Sequence, residues 1–199
     1  VQAAVFELLP DGGLHLASLA SRDLIVDPAA DATRDEQIKT VVAELREELS
    51  VRKNERANLC LPSQAVFSRF VKLPGNTPQD VEEIIAFEAQ QNVPFPIDEV
   101  VWDHQIIGDK RNDAWDVSLL AIKTDQLSSL ANAITHGGLR ATTIDVAPMA
   151  LYNSLHYNYA DVTGCTLLID LGARTTNLVF SDSNRVFTRS IPIGGSNIT

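Results

Sequence analysis

Residues 166–177, TLLIDLGARTTN, gather a carboxylate, a glycine and a pair of threonine hydroxyls at one strand–turn–strand corner. An apolar run ends in Asp170, Gly172 sits in the turn with Thr175 and Thr176 after it, and a second apolar strand begins at Leu178. A carboxylate at a strand end beside glycine can hold a hydrated magnesium ion or position an attacking water, which makes Asp170 the candidate metal ligand. The plainer role for such an aspartate is to cap its own turn. Gly172 permits close backbone approach to a phosphate, and Thr175 and Thr176 offer hydroxyl donors, although threonines of an ordinary hairpin look the same. One hairpin further on, residues 191–197 read IPIGGSN. Gly194 and Gly195 repeat the close-approach chemistry. Ser196 or Asn197 could cap a following helix whose N-terminus faces an anion, or could belong to a plain loop.

A second constellation differs in kind. Residues 87–96, FEAQQNVPFP, combine aromatic rings, amides and prolines at a helix exit. A peptide could dock there between apolar surface and polar anchors, with Phe87, Gln91, Pro94 and Phe95 as the contact residues. Packing of Phe87 and Phe95 into a core is the alternative. Elsewhere His15, His104, His136 and His156 are scattered, without ligand-like spacing to one another or to the cysteines, which argues against zinc. No Ser/His/Asp or Cys/His set can be assembled, and no G-x-x-x-x-G-K-[ST] occurs.

The bulk chemistry is that of a globular protein. The 199 residues are 45% hydrophobic and 21% charged, enough for one or two domains with real cores. A net charge of −10 with no basic stripe argues against nucleic acid as the main partner. The short basic cluster RKNER at 52–56 reads as a solvated helix end. Apolar stretches such as 167–169 are far too short to insert in a bilayer. Cys60 and Cys165 lie far apart inside apolar strand-like segments and are expected as buried free thiols, which fits a cytoplasmic address. A first residue of Val1 rather than methionine suggests a trimmed or partial chain, with no signal peptide before the fold.

Several elements must position these groups. Residues 1–9 read as a strand, turned by Asp11-Gly12-Gly13 into a second at 14–20. Residues 35–49 carry Ile38, Val41, Val42, Leu45 and Leu49 at helical spacing. Strands are expected at 56–62 and 65–73. Thr77 is a plausible N-cap for a helix over 78–92, with Pro78 at its first position, Asp80 three residues after the cap, and Val81, Ile84, Ile85 and Phe87–Glu88 around one amphipathic face. That helix must stop near Pro94. Residues 100–107 and 115–122 should pair across a polar turn at 108–113. Thr124 should cap a helix over 125–136 that ends at Gly137-Gly138. A strand at 140–146, a helix at 148–157 and the corner hairpin complete an α/β chain with mixed sheets and no internal repeat.

Taken together, these residues resemble the PilM family, the actin-like proteins of type IV pilus assembly, relatives of the cell-division protein FtsA. The likeness rests on VKLPGNTPQDVEEIIAFEAQQNVPFPIDEVVWDHQIIG with its F-E-A-x-x-x-x-P-F-P stretch, and on Asp103-His104-Gln105 and 117–121 downstream. It continues through GGLRATTIDVAPMALYNSL and LLIDLGARTTNLVFSDSNRVFTRSIPIGGSNIT. It implies an actin-like (ribonuclease H-like) fold with an inserted strand–helix–strand–strand subdomain. The implied division is a main subdomain over 1–55, the insert over 56–138, a return over 139–160, and the start of a large domain over 161–199.

The resemblance further implies a cytoplasmic adaptor, peripheral at the inner membrane through its partners. Family members bind ATP with Mg2+ in an interdomain cleft and capture the N-terminal tail of a PilN-type membrane protein in a groove beside the insert. On that analogy Phe87, Gln91, Pro94 and Phe95 lie near the groove, and other pilus assembly components are further partners. Departures from the pattern matter. VQAAVFE at 1–7 already matches the strand that should follow the family's first phosphate loop, so that loop is cut away or absent. At the second corner, relatives outside pilus assembly read D-x-G-G-G-T-x-D where this chain has Ala173, Arg174 and Asn177. Arg174 could touch a phosphate or face solvent. The chain alone is therefore expected to bind nucleotide weakly. An ATPase with turnover and an FtsA-like filament protein are the alternatives to an adaptor.

Overall fold

The computed structural model describes residues 1–24, 31–74, 77–111, 114–182 and 185–197, with the backbone alone for 31–33, 78 and 108–111. The expected stop of a turn at 112–113 lies outside the described residues. The chain forms two compact units, one from residues 1–59 and 125–144, the other from 60–124 and 145–199.

In the first unit, β1 (Gln2–Leu8) and β2 (Leu14–Ser21) form the expected antiparallel hairpin. Its turn is closed by Asp11, whose Oδ1 accepts from Gly13 N at 2.9 Å, while Gly12 takes the left-handed conformation at φ 86°. Helix α1 (Asp31–Glu48) starts a turn before the apolar periodicity does. Its buried stripe divides its work. Ile38 and Val42 pack with Ala133 and Ile134 of α3 (Thr124–His136), whereas Val41 and Leu45 pack with Ala20 of β2. α3 begins at Thr124 itself, the residue expected to precede it. A Cβ on Gly137 would lie 2.6 Å from Val42 Cγ1, so glycine is required where the exit of α3 meets α1. The remaining sheet pairs β3 (Glu55–Leu61) with β7 (Leu139–Val146), cross-linked by the Thr142 hydroxyl donating to Asn58 Oδ1 at 3.1 Å.

The second unit contains two three-stranded antiparallel sheets. The first has the order β4 (Phe67–Pro74), β6 (Ala114–Lys123), β5 (Val100–Arg111). Helix α2 (Pro78–Asn92) covers one face of it, with Val81, Ile85 and Ala89 against Leu73, Val117 and Leu119. The helix start is fixed by a reciprocal capping box, Thr77 accepting from Asp80 N while Asp80 accepts from Thr77 N. Each fully buried valine or leucine here contributes about 2 kcal/mol. The second sheet has the order β10 (Arg185–Ile191), β9 (Thr176–Asp182), β8 (Cys165–Leu171). Helix α4 (Ala147–Asn158) covers its inner face through Met149, which shares a core with Ile107, Val179 and Val186. Phe70 and Leu120, on the face of the first sheet that α2 leaves free, pack against that core.

Four expectations need correction. Cys60 and Cys165 are free but exposed, because strand alternation turns each away from its buried neighbours, Leu61 and the half-buried Leu168. Phe87 is not on the packed stripe of α2. At 100° per residue it falls roughly 160° from the centre of the line through Val81, Ile85 and Ala89, and it is 61% exposed. Residues 63–65 form a 3-10 turn, so β4 begins at Phe67 rather than at Ala65. The β5–β6 hairpin extends into the expected polar turn, pairing Arg111 with Ala114 after a register shift beyond Ile107.

Candidate functional site

The corner singled out in the sequence forms at the end of the β8–β9 hairpin, where Asp170 pairs with Asn177 and Leu171 with Thr176. Gly172 N donates to Thr175 O at 2.9 Å and closes the turn. A second corner, 193–197, is strapped onto the first. Gly195 N donates to Gly172 O and Ser196 N to Ala173 O, each at 2.9 Å, and the Thr176 hydroxyl donates to Ile193 O at 2.7 Å. Gly194 is required there by sterics: a Cβ would sit 2.5 Å from the carbonyl atoms of Gly172 and Ala173. Gly194 N is held by Asn197 Oδ1 at 3.0 Å.

The structure therefore brings Asp170, Gly172, Thr175, Thr176, Gly194 and Gly195 together, and divides them by role. The hydroxyl proton of Thr176 and the amide protons of Gly172, Gly194 and Gly195 are spent inside the double corner. The amides of Ala173, Arg174 and Thr175 and the Thr175 hydroxyl make no hydrogen bond among the described residues. These are the donors left for an anion, with one oxygen of Asp170 beside them. The donor set fits a phosphate and a hydrated divalent cation in chemistry, with fewer free amides than the glycines suggest.

Sequence reasoning missed the residue at the centre. Asn177, noticed only as a departure from a family pattern, is 5% exposed, and both polar atoms of its side chain are hydrogen-bonded. Its Nδ2 donates to Asp170 Oδ2 at 2.8 Å. Its Oδ1 accepts from the Ser63 hydroxyl at 2.6 Å and from the Ser190 hydroxyl at 2.7 Å, filling both lone pairs. An amide turned the other way would point its oxygen at the carboxylate, so Asp170 sets the orientation and the serines become donors. Only the burial of β9 position 177 on the inner face, legible as alternation with Val179 and Ser181, could have flagged it.

Cys60 stands near this carboxylate. It is exposed but flanked by protein, and partial burial, then the negative charges of Asp145 and of Asp170, push its thiol above the usual range. On the other constellation, Phe87, Gln91 and Pro94 are exposed at the outer face and exit of α2. Phe95 instead packs half-buried against the core of Ala89, Val93 and Leu119, with Lys123 Nζ 5.2 Å from its ring centre. Among the described residues no cluster of three or more His, Cys, Asp or Glu could hold a metal ion. None of the described helices is long and apolar enough to cross a membrane.

Comparison with known proteins agrees with this reading of the fold. The model of the type IV pilus assembly protein PilM matches residues 10–199. Among solved structures, the PilM–PilN type IV pilus biogenesis complex aligns with a TM-score of 0.81 at 24% identity over 98% of this chain. This chain spans 59% of that one. The cytoplasmic domain of EpsL, an inner-membrane component of the type II secretion system of Vibrio cholerae, aligns with a TM-score of 0.53 at 11% identity. That alignment covers 76% of this chain and 56% of the other. The mixed α/β, actin-like class expected from the sequence is the one observed.

Asn177→Ala should cost about 2–3 kcal/mol in urea unfolding, since it leaves two hydroxyls without their acceptor and a carboxylate without its donor. Ser63→Ala and Ser190→Ala added to it should cost much less than they do alone. Removing a negative charge near Cys60 lowers its thiol pKa and raises its thiolate fraction. Asp170→Asn should therefore speed iodoacetamide labelling of Cys60 at pH 8 by roughly twofold. Magnesium held at Asp170 should act in the same direction in the unsubstituted protein.

Proposed function

The chain belongs to the PilM family of type IV pilus assembly proteins, and we propose that it serves as an adaptor whose α2 face captures a PilN-type tail. The observation that carries this reading is the exposure of Phe87, a large aromatic at 61%, one helical turn from Gln91 on the outer face of α2. An exposed aromatic with a neighbouring amide and the stiff Pro94 exit offers an apolar anchor and polar hydrogen-bonding groups to an extended peptide. Phe95 supports that surface from beneath and takes no direct part. The partner is the N-terminal cytoplasmic segment of a PilN-type inner-membrane protein, which would place the adaptor in the cytoplasm at the membrane surface. Other pilus assembly components would meet it there.

The whole protein is proposed to bind ATP with Mg2+ at the double corner. Asp170 would face the cation through its free oxygen, and Thr175 with the amides of 173–175 would face phosphate oxygens. Thr176, Gly194 and Gly195 would hold the corner in shape. Bound Mg-ATP would supply charge that orders this corner; the residues here bind and position it.

A fluorescent N-terminal peptide of the PilN-type neighbour, titrated with and without Mg-ATP, tests the reading. The expected result is micromolar binding that Phe87→Asp weakens at least tenfold, with the melting temperature unchanged. Phe95→Ala should instead lower stability by about 2 kcal/mol. Full affinity in the Phe87→Asp protein would remove the α2 face from the site.

A further inference from the structure

A cleft of roughly 390 Å³ lies in the second unit, bordering the Asn177 network at Ser63 and Ser190 and lined further by Ser68, Phe70, Pro148 and residues 187–189 of β10. Four successive residues of one strand cannot line a cleft that sits over a single sheet face, because alternate side chains point to opposite faces. The cleft must run along the edge of β10. That edge is free: β10 is the terminal strand of its sheet, and among the described residues only β9 pairs with it. On the other side, Ser68 and Phe70 come from one face of β4, itself a terminal strand. Phe70 reaches across to Phe187 with ring centres 6.2 Å apart.

We propose that this cleft takes an extended peptide segment of a partner protein, added as a strand to the edge of β10 and carrying carboxylates at alternate positions. Backbone groups of the free edge supply affinity, and side chains on one face supply selection. Arg185, Phe187 and Arg189 share the outer face of β10, and neither arginine pairs with a carboxylate among the described residues. The complement is an acidic residue, an apolar residue and an acidic residue at every second position, set by cross-strand pairing. The hydroxyls of Ser68 and Thr188 suit small polar residues on the segment's other face. With a net charge of −10, the protein as a whole repels such a segment, so the two arginines single out this edge. The free edge from Arg185 to Ser190 extends about 17 Å, enough to pair about five residues of the segment, and the cleft flanks its second half, residues 187–190.

The test uses two labelled, capped peptides, Thr-Glu-Thr-Val-Thr-Glu-Thr and the same sequence with lysine for glutamate. The proposal expects the glutamate peptide to bind and to slow amide exchange at 186–190, and the lysine peptide not to bind. Arg185→Glu with Arg189→Glu should reverse the preference by about tenfold in each direction. A gained affinity for the lysine peptide cannot come from misfolding. Ser68→Trp should abolish binding by filling the cleft. Equal binding of the two peptides, no binding of either, or protection confined to α2 would overturn the proposal.

Discussion

The buried amide of Asn177 is the interaction on which the corner depends. One side chain joins Asp170 of β8, Ser190 of β10 and Ser63 of the turn after β3, and both its amide oxygen and its amide nitrogen have partners. A polar side chain this deeply buried is tolerable because each of its polar atoms is hydrogen-bonded. Its orientation is dictated by charge, since only the amide nitrogen can face an ionised carboxylate. Asp170 thereby does two things with two oxygens. One organises the interior through Asn177, and the other stays available at the surface.

That division sets which groups of the corner stay open. The glycines that looked like phosphate contacts are needed for backbone packing: Gly194 lies against the carbonyls of Gly172 and Ala173, and its amide is held by Asn197. The free donors are displaced onto the short run 173–175. Ser63 and Ser190 also border the cleft along β10, so the same amide touches the surface at Asp170 and at the strand edge.

Much of the architecture was legible because it is written in local rules. Thr77, Pro78 and Asp80 announce the start of α2, and the observed helix runs over the expected residues with both halves of the capping box formed. Asp11-Gly12-Gly13 and Gly137-Gly138 mark their turns through glycine chemistry. What was not legible depends on which way a side chain faces. The apolar runs around Cys60 and Cys165 suggested burial, but alternation exposes both thiols. Phe87 looked like part of a stripe and stands outside it. The candidate corner was legible in its residue types and not in its wiring: Asp170 and Thr175 were named, while Asn177, Ser63 and Ser190 are joined across up to 114 positions that no spacing rule connects.

The most direct measurement is the side-chain amide signal of Asn177 in a nitrogen-15 NMR spectrum, compared between the unsubstituted protein and Asp170→Ala. With Asp170 accepting from Nδ2, one of the two protons should be shifted well downfield and exchange slowly with solvent, and should lose both features in the substituted protein. Two closely similar protons that exchange rapidly in both proteins would contradict the account, because Asn177 would then be solvated and the corner would be held by its backbone alone.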